Sequence, residues 1–186
     1  MAHQTPTVIT TQVATRCRVV LTPRPLFIYG TLCAMPLLSW VLTGNTKNTA
    51  MVARFAQPAR INGYARLKIQ GRDHAAVVKH PRSSVDGYLL WLTKPQRTRV
   101  DSFEGDSYKA VPVVAAMESR SNPGLPAGSI EADMYVWGGD INTVTTDPWS
   151  VKVFEEERLN DWLDTFEGME FIGQTETETL DEWTII

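Results

Sequence analysis

The sequence predicts an α+β fold. Short runs rich in β-branched and aromatic residues recur along most of the chain, and turns bearing Gly, Pro, Asn or Ser separate them. Only three segments carry helical spacing, and the strongest comes last. At 186 residues, 43% of them hydrophobic, the chain is long enough for one domain with a real core.

The elements run in order. Residues 1–24 form a polar, Thr-rich N-terminal extension in which Cys17–Leu21 could add a strand, and Pro23 and Pro25 break the chain. Residues 25–172 form the domain, and residues 173–186 an acidic, Thr-rich tail. Leu26–Tyr29 is a buried strand running into Gly30. Pro36–Leu42 reads as a short helix with Pro36 in its first turn, stopped by Thr43-Gly44-Asn45. Ala50–Phe55 and Asn62–Ile69 read as strands. Gly71-Arg72-Asp73 is a turn. Ala75–Val78 and Val85–Leu92 are the next strands, parted by Pro81-Arg82-Ser83-Ser84. Lys94–Phe103 has helical spacing through Val100 and Phe103. Ala110–Met117 is a β-branched strand, Ser119–Gly128 a loop, and Ile130–Trp137 a further strand. Residues 149–166 form the longest helix, with Phe154, Leu159, Trp162, Leu163 and Phe166 roughly on one stripe.

Composition narrows the function classes. No apolar run approaches the 18 residues or so of a membrane span. The N-terminus lacks a secretory pattern, and residues 1–15 hold none of the Arg of a mitochondrial transit peptide. Two cysteines, Cys17 and Cys33, fit a reducing compartment, so a cytoplasmic location is expected. The net charge of -3 hides an asymmetry: residues 1–72 hold nine Lys or Arg and no Asp or Glu. Either the two halves neutralise each other in one fold, or a positive field surrounds the early glycine turn and draws in an anionic small molecule. The basic residues are scattered without interleaved aromatics, which argues against nucleic acid. His3, His74 and His80 lack metal-ligand spacing, so no metal is expected.

Two segments carry chemistry. In Leu26-Phe27-Ile28-Tyr29-Gly30-Thr31-Leu32, a strand ends in a glycine turn that presents backbone N–H groups suited to an anion or a carbonyl oxygen. In Val100-Asp101-Ser102-Phe103-Glu104-Gly105-Asp106-Ser107-Tyr108, one carboxylate sits between a Phe and a Gly before a buried strand. Free donors plus one sheltered carboxylate can move a proton while holding an oxyanion. The second segment has an echo, Leu163-Asp164-Thr165-Phe166-Glu167-Gly168. There Gly168 suits a helix C-cap, Phe166 the core stripe, and Glu167 an exposed helix end. Tyr29 either packs at the strand end or lines a pocket. Tyr108 either bonds Glu104 or a ligand, or fills the interior. Asp101 supports the local turn, and Cys33, without a partner His, reads as a small buried thiol.

Tyr29-Gly30-Thr31-Leu32, then Asp101-x-Phe103-Glu104-Gly105-x-x-Tyr108 about 75 residues on, resembles the gamma-glutamylcyclotransferase-like superfamily, nearest its AIG2-like branch. Arg60-Ile61-Asn62-Gly63-Tyr64, Val85-Asp86-Gly87-Tyr88 and Ala132-Asp133-Met134-Tyr135 agree with it, over roughly residues 26–165. Lys109 and Ala110 depart from the pattern, which usually has Arg after the Tyr. The resemblance implies a small, partly open mixed β-barrel flanked by helices, whose edge strands could pair two chains into a homodimer. It implies release of 5-oxoproline from a gamma-glutamyl amine or amino acid without a cofactor. Glu104 would be the general acid/base, and Tyr29, Gly30, Thr31, Leu32 and Tyr108 would hold the substrate. Two other readings keep the fold: cofactor-free acid/base chemistry on a biosynthetic metabolite, and a non-catalytic binding protein.

Overall fold

The structure is a computed structural model that describes residues 24–117 and 128–167. The expected strand at Cys17–Leu21, the expected loop Ser119–Gly128 up to residue 127, the expected Gly168 cap and the acidic tail lie outside the described residues. The α+β expectation holds. Six strands, β1 (Leu26–Ile28), β2 (Gln57–Ile69), β3 (Ala75–Leu90), β4 (Tyr108–Met117), β5 (Ser129–Trp137) and β6 (Val144–Pro148), form one mixed sheet. Its order is β3-β1-β5-β4-β2-β6, and β3 also pairs with β2. That pairing closes the first five strands into a barrel, with β6 added outside on β2. The closure is narrow at one seam: β2 meets β4 only at Ala59↔Met117 and Arg60↔Ala116. β1 runs parallel to β5 and antiparallel to β3, so the short Leu26–Ile28 segment sits in the middle of the wall.

Among the described residues, five α-helices flank the barrel: α1 (Met35–Thr43), α2 (Thr49–Ala53), α3 (Lys94–Glu104), α4 (Val151–Glu157) and α5 (Leu159–Glu167). Phe27, Ile61, Leu89 and Met134 are fully buried in the core. Each such side chain contributes about 1.5–3 kcal/mol relative to exposure.

Four local expectations are corrected. Ala50–Phe55 is not a strand; Thr49–Ala53 forms α2, whose Val52 is buried beside α1. Its apolar residues are too few for periodicity to separate the two states. Ala75–Leu90 is one strand rather than two. The register with β2 jumps from Asn62↔Ser84 to Tyr64↔Lys79, so Pro81 falls in a bulge where no ladder N–H is required. The long last helix is two helices. At Arg158 the backbone turns to φ -127°, ψ -23°, and its guanidinium binds Asp73 at 3.1 Å and Asp161 at 2.7 Å. Residues 144–148, unassigned from sequence, pair with β2 as β6.

The ends of α3 are both fixed by local hydrogen bonds. Thr93 and Gln96 form a reciprocal capping box at its start, at 3.4 and 2.9 Å. Gly105 ends it with φ 64°, its N–H reaching the Asp101 carbonyl at 3.1 Å. Glu104 is therefore the last helical residue.

Candidate active site

A cavity of about 470 Å³ opens between the turn after β1, the start of β3, the end of α3, the start of β4, and α5. Tyr29, Gly30, Thr31, Glu104 and Tyr108 all line it. The fold thus brings five of the six residues expected at a site to one place. Leu32 is apart from them: only 1% exposed, its side chain is in the core and does not line the cavity.

The glycine turn is a 3-10 turn, Gly30–Cys33. In that pattern Leu32 N–H turns back to Tyr29, while Gly30 and Thr31 N–H precede the first internal acceptor. Gly30 has φ 68°, a left-handed conformation that a side chain disfavours. Thr31 is buried at the cavity wall.

The Glu104 carboxyl has no hydrogen-bond or ion-pair partner among the described residues. Its pKa is pushed up to about 8, first by burial and then by the negative charge of Asp101 one turn earlier. Its place at the carbonyl end of α3 acts in the same direction. Near neutral pH this carboxyl holds its proton for most of the time and ionises within reach of that range, as a group that both takes and returns protons requires.

The two tyrosines are held by backbone rather than by Glu104. Tyr29 is 8% exposed and its hydroxyl donates at 2.6 Å to the carbonyl of Tyr135 on the neighbouring strand β5. Tyr108 donates to the Ala75 carbonyl at 2.8 Å. Both readings of Tyr29 therefore apply, because it packs in the core and also touches the cavity. Burial, and secondly Glu104, raises the pKa of both phenols, so they stay neutral.

Asp101 does more than support a turn. Its carboxylate accepts from Arg97 Nε at 2.9 Å and from the Tyr135 hydroxyl. Arg97 also reaches Asp133 on β5 at 3.0 Å. This chain of bonds ties α3 to the barrel wall one turn before Glu104.

Sequence reasoning missed the rest of the lining. Trp40, Phe103, Trp162 and Phe166 form an aromatic wall, with Trp40 stacked on Phe166 at 4.7 Å and Phe103 at 5.9 Å from Phe166. Both phenylalanines of the repeated Asp-x-Phe-Glu-Gly pattern therefore meet at the cavity. The Glu167 side chain lies outside the described residues. Asp73 holds the wall in place: its Oδ2 accepts from Trp162 Nε1 at 3.0 Å, its Oδ1 from Arg158, and its carbonyl from Trp149 Nε1 at 2.6 Å. On either side of Asp73, Arg72 and His74 also line the cavity. Burial and then Arg72 lower the His74 pKa, so the imidazole is neutral near pH 7. The excess of cations over residues 1–72 was the one sign of Arg72 in the sequence.

Cys33 does not line the cavity. Its thiol contacts the Ile28 carbonyl at 3.8 Å, and burial pushes its pKa up to about 12. It is a partly buried thiol and not an activated nucleophile. Among the described residues no three His, Cys, Asp or Glu side chains group as a metal ion would require. No described helix is long and apolar enough to cross a membrane.

Comparison with known proteins is decisive at the family level. A family model described as gamma-glutamyl cyclotransferase, AIG2-like matches residues 26–170. The chain belongs to that family. A curated relative, protein AIG2 C of Arabidopsis thaliana, is 22% identical over 144 residues, covering 77% of this chain and 79% of the relative. Two solution structures of Arabidopsis thaliana proteins superpose with TM-scores of 0.51, at 19% and 20% identity. The first covers 79% of this chain and 90% of its own, the second 77% and 79%. At that identity the two structures carry the fold alone. Within the gamma-glutamyl cyclotransferase, AIG2-like family, the resemblance read from Tyr29-Gly30-Thr31-Leu32 and Phe103-Glu104-Gly105 is thus accounted for.

Proposed function

We propose that the protein releases 5-oxoproline from a gamma-glutamyl compound by intramolecular aminolysis, with Glu104 as general acid/base. The supporting observation is that one carboxyl with a raised pKa and no partner among the described residues shares a cavity with Gly30 and Thr31 of the glycine turn.

The substrate supplies both reacting groups. Its α-amine attacks its own γ-carbonyl carbon, a C–N bond closes the five-membered lactam, and the bond to the leaving amine breaks. The α-ammonium must first lose a proton, and the leaving amine must gain one. Glu104 takes the ammonium proton and passes it to the leaving nitrogen as its bond breaks; the new lactam nitrogen sheds a second proton, which the released amine takes up as it becomes an ammonium, so protons balance without another reagent. Such a shuttle contributes about 10²–10⁴-fold. Holding the glutamyl chain bent for attack contributes up to about 7–11 kcal/mol. Gly30 and Thr31 N–H would hold the glutamyl carboxylate or the developing oxyanion.

The test is Glu104→Gln. It should remove 5-oxoproline release while ligand binding and fold persist. Full activity in that variant would take Glu104 out of the role. Glu167→Gln is the control from the repeated pattern and should change the rate little; an equal loss there would assign the chemistry to the second copy.

A further inference from the structure

We propose that Arg72, Trp162 and Phe166 form a subsite for the leaving half of the substrate. That subsite selects an amine bearing both a carboxylate and an aromatic side chain, a phenylalanine-like α-amino acid. It rests on the cyclisation reading and gives that reading a substrate class.

Gly30 and Thr31 N–H, with Glu104, account for the charged groups of a glutamyl moiety. Beyond them the lining includes an aromatic wall and one permanent cation, Arg72. The cavity, about 470 Å³, is in the range of pockets for whole small molecules, about 300–1,000 Å³. A second half of the substrate can therefore lie inside it.

The wall is rigid before any ligand arrives. Trp162 is fixed through Nε1 by Asp73, and its ring meets Phe103 at 6.4 Å and Phe166 at 5.9 Å. Fixed aromatic rings bind another ring with little loss of rotamer freedom. Arg72 is exposed and lies over the Trp137 ring at 5.6 Å, with no carboxylate partner among the described residues. Its neighbour Asp73 is engaged by Arg158 and does not neutralise it. A guanidinium that lies over a ring and has no carboxylate partner among the described residues is disposed to take a carboxylate.

The experiment compares three substrates on the full chain: gamma-glutamyl-phenylalanine, gamma-glutamyl-phenethylamine, which lacks the carboxylate, and gamma-glutamyl-alanine, which lacks the ring. The wild type should show kcat/KM highest for the first. Removing the carboxylate should cost about 10- to 100-fold, and removing the ring a similar factor. Both losses should fall mainly on KM, since Arg72 and the wall do not touch the reacting atoms. In Arg72→Gln the ratio between the phenylalanine and phenethylamine derivatives should fall to near one. Wild-type rates within about twofold for those two substrates would overturn the subsite while leaving the cyclisation reading standing. So would an Arg72→Gln variant that keeps the full ratio. If none of the three releases 5-oxoproline, the cyclisation reading fails and the subsite fails with it.

Discussion

Replacing Glu104 by Gln should flatten the dependence of folding stability on pH. In the fold this carboxyl titrates at about 8, against an ordinary 4.5. Below 4.5 both folded and unfolded chains hold the proton, and the group costs nothing. As pH rises from 4.5 to about 8, the unfolded chain ionises while the folded one stays protonated, so stability is progressively lost. The slope is about 1.4 kcal/mol per pH unit, which sums to at most about 5 kcal/mol by pH 8. Water entering the cavity lowers that bound. Gln has no charge to desolvate, so the variant should match the wild type at low pH and exceed it above neutrality. Urea unfolding of both proteins from about pH 5 to about pH 9 reads this directly. The expected result is two curves that diverge across that range, with the variant more stable. Parallel curves would mean that the carboxyl is not desolvated as described, and Glu104 would then not be a poised proton shuttle. The variant that loses catalysis should thus be the more stable protein, as expected where a functional group is held at an energetic cost.

Asp101→Asn should move the rising limb of the pH–rate profile to lower pH, because it removes the negative charge that helps raise Glu104. A rate loss with an unmoved limb would reduce Asp101 to an anchor for Arg97 and Tyr135. Gly87→Ala should destabilise the barrel by about 3 kcal/mol or more, lowering Tm by roughly 6–12 °C. An added Cβ there would run into the Ile28 carbonyl oxygen, which the β1–β3 ladder cannot move aside. Gly30→Ala should cost only about 1 kcal/mol, since its Cβ would meet Ala75 at an ordinary 3.5 Å and only the φ of 68° is penalised. Thermal melts of the two alanine variants separate clash from conformation, and equal losses would contradict the contact geometry.

Local chemistry fixed much of this protein from the sequence alone. An apolar strand ending in Gly30, helical spacing over Lys94–Phe103 and a carboxyl beside Phe103 are settled by neighbours in the chain. That is why the glycine turn, α3 and Glu104 were legible without coordinates. The errors arose where distant partners overrule local preference. Pro81 lies inside a strand because a bulge against Asn62 and Tyr64 releases it from the ladder. The last helix breaks at Arg158, bound to Asp73, 85 residues earlier. The aromatic wall and Arg72 reach the cavity only because Asp73 also fastens Trp162 on α5 to the turn before β3. Spacing in a sequence reports which residues share a face of one element. Which faces meet across the barrel depends on closure of the sheet and on a few long-range hydrogen bonds, and those exist only in three dimensions.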